Sequence, residues 1–243
     1  MSARKPAAGV AAHEQAWNGR ALRAPPRPSW RVWRYREPAL VLGVSQRELQ
    51  ALAAAAPLAV LRRRAGGGAV LAGPWMLGLS VALPAGHALA RDGLLACYRW
   101  LGQALAQALS FGGAHCRALA PHELGARPAA ARDWACFGSL SPWEVVCDGR
   151  KIAGLAQVRT PGCVLLAAGV LLQRPDWELL CRALRQPPRE ALRLERATID
   201  WQQAARLGGG SGDDPDRVRP RLRAALAACL RTPREARARG EAD

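Results

Sequence analysis

Residues 144–159 read EVVCDGRKIAGLAQVR. Two runs of strand-forming and small apolar residues flank Asp148-Gly149, a dipeptide favoured in two-residue type I′ turns because both positions need positive φ. The stretch predicts a hairpin, with 143–147 entering the turn and 150–159 leaving it. Pro161-Gly162 makes a second turn, and 163–172 returns as a third strand.

Working outward, 30–35 (WRVWRY), 39–43 (ALVLG), 58–62 and 77–83 also read as strands. Arg36, Glu37 and Pro38 make a turn between the first two. Residues 13–23 predict a short helix ended by Pro25, Pro26 and Pro28. Ser45 with Glu48 three residues on forms a capping box for a helix over 46–56. Leu94, Leu95, Tyr98, Leu101, Leu105 and Leu109 recur at helical spacing, which predicts one helix over 88–109, closed by Phe111-Gly112-Gly113. Residues 121–132 are irregular, 175–185 read as a helix, and 219–230 as an amphipathic one. Without regular βαβ alternation, the expected fold is α+β (mixed α/β), a mostly antiparallel sheet flanked by helices. Three parts are expected: a helix and extended lead-in over 1–29, a catalytic-type domain over 30–206, and a flexible linker (GGGSGDD, 208–214), helix and charged tail over 207–243.

Half of the 243 residues are hydrophobic, enough for a sizeable core. The net charge is +16, carried almost wholly by arginine; the lysines are Lys5 and Lys151. Such a charge suits either a solvated basic surface or an acidic protein partner. No zinc-ligand spacing or RNA-binding sheet signature supports nucleic acid. Seven scattered cysteines without a CxxC pair indicate neither a disulfide framework nor a metal site. No apolar run approaches ~18 residues and the N-terminus lacks an apolar signal core, so a cytoplasmic protein with no membrane segment is expected.

Three segments offer chemistry. In 61–70, LRRRAGGGAV, the glycines permit close backbone approach to an anion or carbonyl, and equally a plain tight turn. Lys151 on an otherwise apolar strand is either surface decoration or a point charge for a carbonyl or phosphoryl oxygen. Cys136, in DWACFGSLSPWEV, is either inert core or a nucleophile whose thiolate needs a nearby cation.

Together these segments resemble the superfamily of lipoate–protein ligases, biotin–protein ligases and ligase-like octanoyltransferases. The resemblance rests on Arg62, Arg63, Gly66, Gly67, Gly68, Ala69 and Val70, then Cys136, Phe137, Trp143 and Glu144, then Gly149, Arg150, Lys151, Ile152, Gly154, Gln157 and Arg159. Gly169 on the next apolar strand extends it. It implies a twisted sheet related to class II tRNA synthetases, with Lys151 on the acyl carbonyl or adenylate phosphate and Cys136 carrying an acyl thioester. Arg62, Arg63, Gly66 to Val70, Gly154, Gln157 and Gly169 would line the substrate site. The implied donor is an acyl-carrier protein, or free lipoate or octanoate. The implied acceptors are lipoyl domains of 2-oxoacid dehydrogenases or the glycine-cleavage carrier protein. A transferase needs no cofactor; a lipoate or biotin ligase uses ATP and Mg. Two family histidines are replaced, by Ala72 and Ala168, which leaves a catalytically silent binding module as a third reading. In the ligase reading Lys151 meets the adenylate phosphate and Cys136 has no role; the assignment as a whole expects the glycine turn, Lys151 and Cys136 to converge on the mouth of one apolar slot.

Overall fold

In the computed structural model, which describes residues 9–23, 25, 27–124 and 134–231, the predicted hairpin is β7 (Val145–Cys147) and β8 (Arg150–Arg159). Asp148 at φ 52° and Gly149 at φ 70° take the left-handed conformations that a type I′ turn requires. β9 (Cys163–Leu171) pairs with β8, and β5 (Met76–Pro84) with β9. β1 (Ser29–Arg34) and β6 (Cys116–Ala118) form the edges of a six-stranded antiparallel sheet of order β1-β5-β9-β8-β7-β6. β3 (Ala59–Arg62), β2 (Ala39–Leu42) and β4 (Val70–Ala72) form a smaller sheet, order β3-β2-β4, in which β2 and β3 are parallel. The fold is thus α+β and mostly antiparallel.

The two faces of the large sheet differ in side-chain volume. On one, Leu77, Leu79, Val81, Leu83, Val164, Leu166 and Ile152 pack against Leu101, Leu105 and Leu109 of α4 (Leu94–Leu109) and Leu222 and Leu226 of α8 (Val218–Cys229). Each such side chain, fully buried, contributes about 1.5–3 kcal/mol. On the other face the register aligns Gly78, Gly169 and Gly154, then Ser80, Ala167 and Ala156. A Cβ on Gly78 would come within 2.0 Å of the Tyr35 hydroxyl oxygen, and one on Gly169 within 2.6 Å of Met76 Cε. This small-residue face leaves room above the sheet.

Over that room lies α1 (Gly9–Ala21), whose inward positions Ala11, Glu14 and Asn18 keep helical spacing but are largely polar. Glu14, 5% exposed, accepts a hydrogen bond from the Tyr35 hydroxyl (2.6 Å). Ser80 adds a second, and itself accepts from Trp33 Nε1 (3.0 Å). Burial pushes the Glu14 carboxyl up to about 7, against the opposing pull of the Tyr35 and Ser80 hydrogen bonds and the Arg63 charge.

Several local expectations are revised. The first two predicted strands form as expected but do not pair with each other, since β1 and β2 belong to different sheets. α2 (Arg47–Leu52) starts after Gln46, not Ser45, because the Gln46 side chain is the one that turns back, accepting from the Gly43 N–H (3.0 Å). The long helix is broken into α3 (Ala88–Arg91) and α4, with Gly93 at φ 93° between them. α5 (Trp177–Ala183) is followed by two helices absent from the sequence reading, α6 (Pro188–Ala197) and α7 (Trp201–Leu207). Gly208 and Gly210, read as linker, lie so close to the Gly113 and Gly112 carbonyls that a Cβ on either would meet oxygen within 1.8 Å. The charged tail beyond 231, Pro26, and 125–132 of the irregular segment lie outside the described residues. Among the described residues, no helix is long and apolar enough to cross a membrane.

Glu14 makes stability pH-dependent with a definite sign. Its folded pKa is raised, so between about pH 5 and about 7 the folded chain holds a proton that the unfolded chain releases. Stability from this group therefore declines as pH rises through that window and is level above it. The difference in unfolding free energy between wild type and Glu14→Gln should fall by about 3 kcal/mol from pH ~4.5 to ~8, read by urea titration. A difference that stays flat across the range contradicts the assignment.

Candidate active site

Lys151 enters β8 two residues after the hairpin turn, which drives its side chain beneath the loop that carries Cys136. It is 1% exposed. Its Nζ pairs with Glu144 Oε1 (2.7 Å) and donates to the carbonyls of Cys136 (2.7 Å) and Ser139 (3.0 Å). An ammonium has three protons, and here each has an acceptor. Glu144 is equally satisfied: Oε1 also accepts from the Leu155 N–H (3.2 Å) and Oε2 from the Ser141 N–H (2.8 Å). Burying both charges is tolerable only because pairing and hydrogen bonding are this complete.

The glycine turn is stitched directly to the cysteine loop. Ala69 N–H donates to the Trp134 carbonyl (2.7 Å), and Cys136 N–H donates to the Ala69 carbonyl (2.9 Å). From beneath, the buried Arg63 guanidinium gathers the turn, donating to the carbonyls of Gly66 (3.0 Å) and Gly68 (2.7 Å). With those carbonyls held inward, the N–H groups of Gly66, Gly67 and Gly68 donate to no group among the described residues. Gln46 Nε2 holds the Trp134 carbonyl (2.8 Å), and Arg193 of α6 holds that of Gly138 (2.9 Å).

Above the small-residue face lies a cavity of about 140 Å³. Val41, Val70, Met76, Phe137, Val158 and Leu165 supply much of its apolar wall, and Glu14, Asn18 and Tyr35 border it. Roughly 150 Å³ of apolar cavity admits a benzene ring, so this one holds a short hydrocarbon chain. Cys136 belongs both to this cavity and to the adjoining open groove walled by Gly66, Gly67 and Gly68. Sulfur and ammonium share one corner over Gly154: a Cβ built there would stand 3.1 Å from Lys151 Cε, tighter than an ordinary contact, and 3.5 Å from Cys136 Sγ.

The three segments singled out in the sequence therefore converge. Arg62, Val70, Gly154 and Gly169 border the cavity, the glycines border the groove, and Ala69 is buried between them. Lys151 lies under this junction and is not part of either wall. Gln157 is not brought to the cavity: its alternate position turns it to the opposite face of β8, where both amide atoms are buried without partners. Ala72 and Ala168, the two replaced family histidines, both border the cavity, and among the described residues no histidine lines the cavity or the groove. Among the described residues, no group of three or more His, Cys, Asp or Glu is placed to hold a metal ion. Sequence reasoning counted Glu144 in the family pattern without giving it a role, and passed over Glu14 and Asn18. The signal for Glu144 was available, as the acid preceding the hairpin that holds the chain's one mid-sequence lysine. Glu14 and Asn18 carried none, being polar positions on a short helix.

Residues 6–203 match the family model of the lipoyl protein ligase A/B catalytic domain. Octanoyltransferase LipM of Kyrpidia tusciae is 31% identical over 210 residues, covering 84% of this chain and 76% of the relative. Among solved structures, protein Ta0514 of Thermoplasma acidophilum with bound lipoic acid superposes with TM-score 0.65 at 19% identity, covering 92% of this chain and 82% of that one. A lipoate-protein ligase A bound with ATP gives TM-score 0.61 at 19% identity, covering 89% and 78%. The chain belongs to the lipoyl protein ligase A/B catalytic domain family.

Proposed function

We propose that this protein transfers an octanoyl-type acyl group to a carrier-domain lysine through a thioester on Cys136. The observation that carries the reading is the position of Cys136, its sulfur at the seam between an apolar cavity sized for a hydrocarbon chain and a groove walled by unused backbone N–H groups. The similarity to octanoyltransferase LipM supports the same chemistry.

In the first half-reaction, Cys136 sulfur bonds to the carbonyl carbon of a donor thioester and the donor's C–S bond breaks. The cysteine proton leaves on the donor thiol. The tail lies in the cavity, and the N–H groups of Gly66, Gly67 and Gly68 face the oxyanion. In the second, an acceptor lysine amine bonds to the same carbon, the Cys136 C–S bond breaks, and the amine proton returns to sulfur. No oxidant, ATP or metal is consumed. Lys151 acts chiefly as a positioning residue, since its protons hold the Cys136 and Ser139 carbonyls and Glu144. A positive surface suits acidic partners, which here are an acyl-carrier protein as donor and a lipoyl-type domain as acceptor in the cytoplasm. Residues 30–206 form the catalytic unit in this reading, with the flanking helices as supports.

ATP-dependent ligation is the second reading, favoured by the open groove beside the free glycine N–H groups and by the fold shared with an ATP-bound ligase. Pyrophosphate release on incubation with octanoate or lipoate, ATP and a lipoyl domain separates it from transfer.

Incubation with octanoyl-carrier protein should add one octanoyl mass to the intact protein, labile to hydroxylamine and absent from Cys136→Ala. Equal transfer to a lipoyl domain by both proteins removes Cys136 from the mechanism.

Lys151→Met leaves the Glu144 charge buried without its cation, which should cost about 3–5 kcal/mol in urea unfolding. Adding Glu144→Gln should restore most of that stability while Cys136 acylation stays at least about tenfold slow, since the loop carbonyls remain unheld. Acylation recovering together with stability shows that the ammonium serves folding alone.

A further inference from the structure

The cavity is apolar along most of its length, and its far end carries a polar atom with nothing to bond. From the row of Gly154 and Gly169 beside Cys136, the floor runs four residues along β8 and β9 to Val158 and Leu165, about 13 Å. Above it, Glu14, Asn18 and Leu22 follow one another at four-residue spacing along α1 and the turn that ends it, one helical turn apart. Glu14 is anchored near the Cys136 end through Tyr35 and Ser80, the partner of Ala167. Leu22 packs at the far end with Leu165, Ala82 and Cys163. Asn18 therefore stands beyond Glu14, over the distal half of the slot. It is 6% exposed, it borders the cavity, and its Oδ1 is buried with no hydrogen-bond partner. A buried acceptor left unpaired is costly, and a ligand supplying a donor removes that cost.

Building on the transferase reading, we infer that the slot selects a medium-chain acyl group whose far end bears a hydrogen-bond donor, a hydroxyl or an N–H, with Asn18 Oδ1 as its acceptor. A plain octanoyl chain, or one ending in a disulfide ring, brings no donor to that atom. Sites built to pair a polar group discriminate against analogues that lack it, because the site group is then left bare. The Glu14 carboxyl, one turn nearer Cys136, is already occupied by Tyr35 and Ser80; of the two buried polar side chains that α1 brings to the cavity, Asn18 is the one with an open acceptor.

The test compares octanoyl-pantetheine with ω-hydroxyoctanoyl-pantetheine on wild type and Asn18→Leu, following Cys136 acylation by intact mass. Wild type should favour the hydroxyl-ended donor by about tenfold in kcat/KM, and Asn18→Leu should reverse the preference. Equal rates, or a wild-type preference for octanoyl, overturn the inference and mean that solvent satisfies Asn18. Thermal shift of wild type with free octanoate and free ω-hydroxyoctanoate ranks the same two chains without Cys136 chemistry, and it decides the matter if the variant does not fold. Greater stabilisation by the hydroxy acid with no thioester from either donor defeats the transferase reading and leaves the selectivity standing. Thioester formation at equal rates from both donors does the reverse.

Discussion

The ammonium of Lys151 sits in a place where a bare charge is not tolerated. With both partners nearly inaccessible, the Lys151–Glu144 pair persists only because every proton and most lone pairs are used. That requirement constrains the surroundings. Glu144 must reach back to the Leu155 N–H, which β7 is too short to pair, and must also hold Ser141. The carbonyls of Cys136 and Ser139 must turn inward to meet Nζ, which fixes the curl of the loop and leaves the sulfur beside Gly154. The hairpin turn at Asp148-Gly149 sets the register that puts Lys151 under that loop. One ion pair thus ties the sheet to the piece of irregular chain where the chemistry is placed.

A second constraint is volume. The large sheet is asymmetric, with branched side chains beneath α4 and α8 and a row of glycine, alanine and serine on the other side. Leucines on both faces would have produced an ordinary two-sided core with no slot. Here the smallness of Gly78, Gly169 and Gly154 admits Tyr35 and Met76 and leaves a cavity beside the cysteine. Arg63 performs a related task at the mouth: it holds the Gly66 and Gly68 carbonyls, while the glycine N–H groups of this groove-lining turn have no acceptor among the described residues.

What the sequence disclosed, and what it withheld, follows from the range of the forces involved. Asp148-Gly149 is a local signal, and the hairpin follows from it. The periodicity of Leu101, Leu105 and Leu109 is likewise local, and so is the large–small alternation in β5. The site was legible as an association of Arg62-Arg63, the glycine triplet, Cys136 and Lys151, because a known family pattern joins segments that are distant in the chain. Hydrophobic patterning does not place β1 and β2 in different sheets, since that depends on which partners compete for their edges. Nor does it distinguish a glycine run that packs, such as Gly208 and Gly210 against Gly113 and Gly112, from one that swings free. α1 shows the limit most clearly. Its buried stripe is Ala11, Glu14 and Asn18, so a search for an apolar stripe sees no inward face at all.

That polar stripe also bears on the two replaced histidines. Ala72 and Ala168 border the cavity where the family pattern has imidazoles, and losing them removes polar groups near the cysteine. Polarity reappears overhead, on α1, as a carboxyl shared among Tyr35, Ser80 and the Arg63 charge, and as the amide of Asn18. With no imidazole beside the cavity among the described residues, the Glu14 carboxyl is held in shape by Tyr35 and Ser80, and the Asn18 Oδ1 is left without a partner. In the transferase reading, the chemistry at sulfur then depends on geometry and backbone: a fixed thiol beside the Lys151–Glu144 pair, and a glycine turn with unused N–H groups bordering the same groove. Such a site relies on the donor thiol and the acceptor amine to carry their own protons, which thioester exchange and aminolysis both permit.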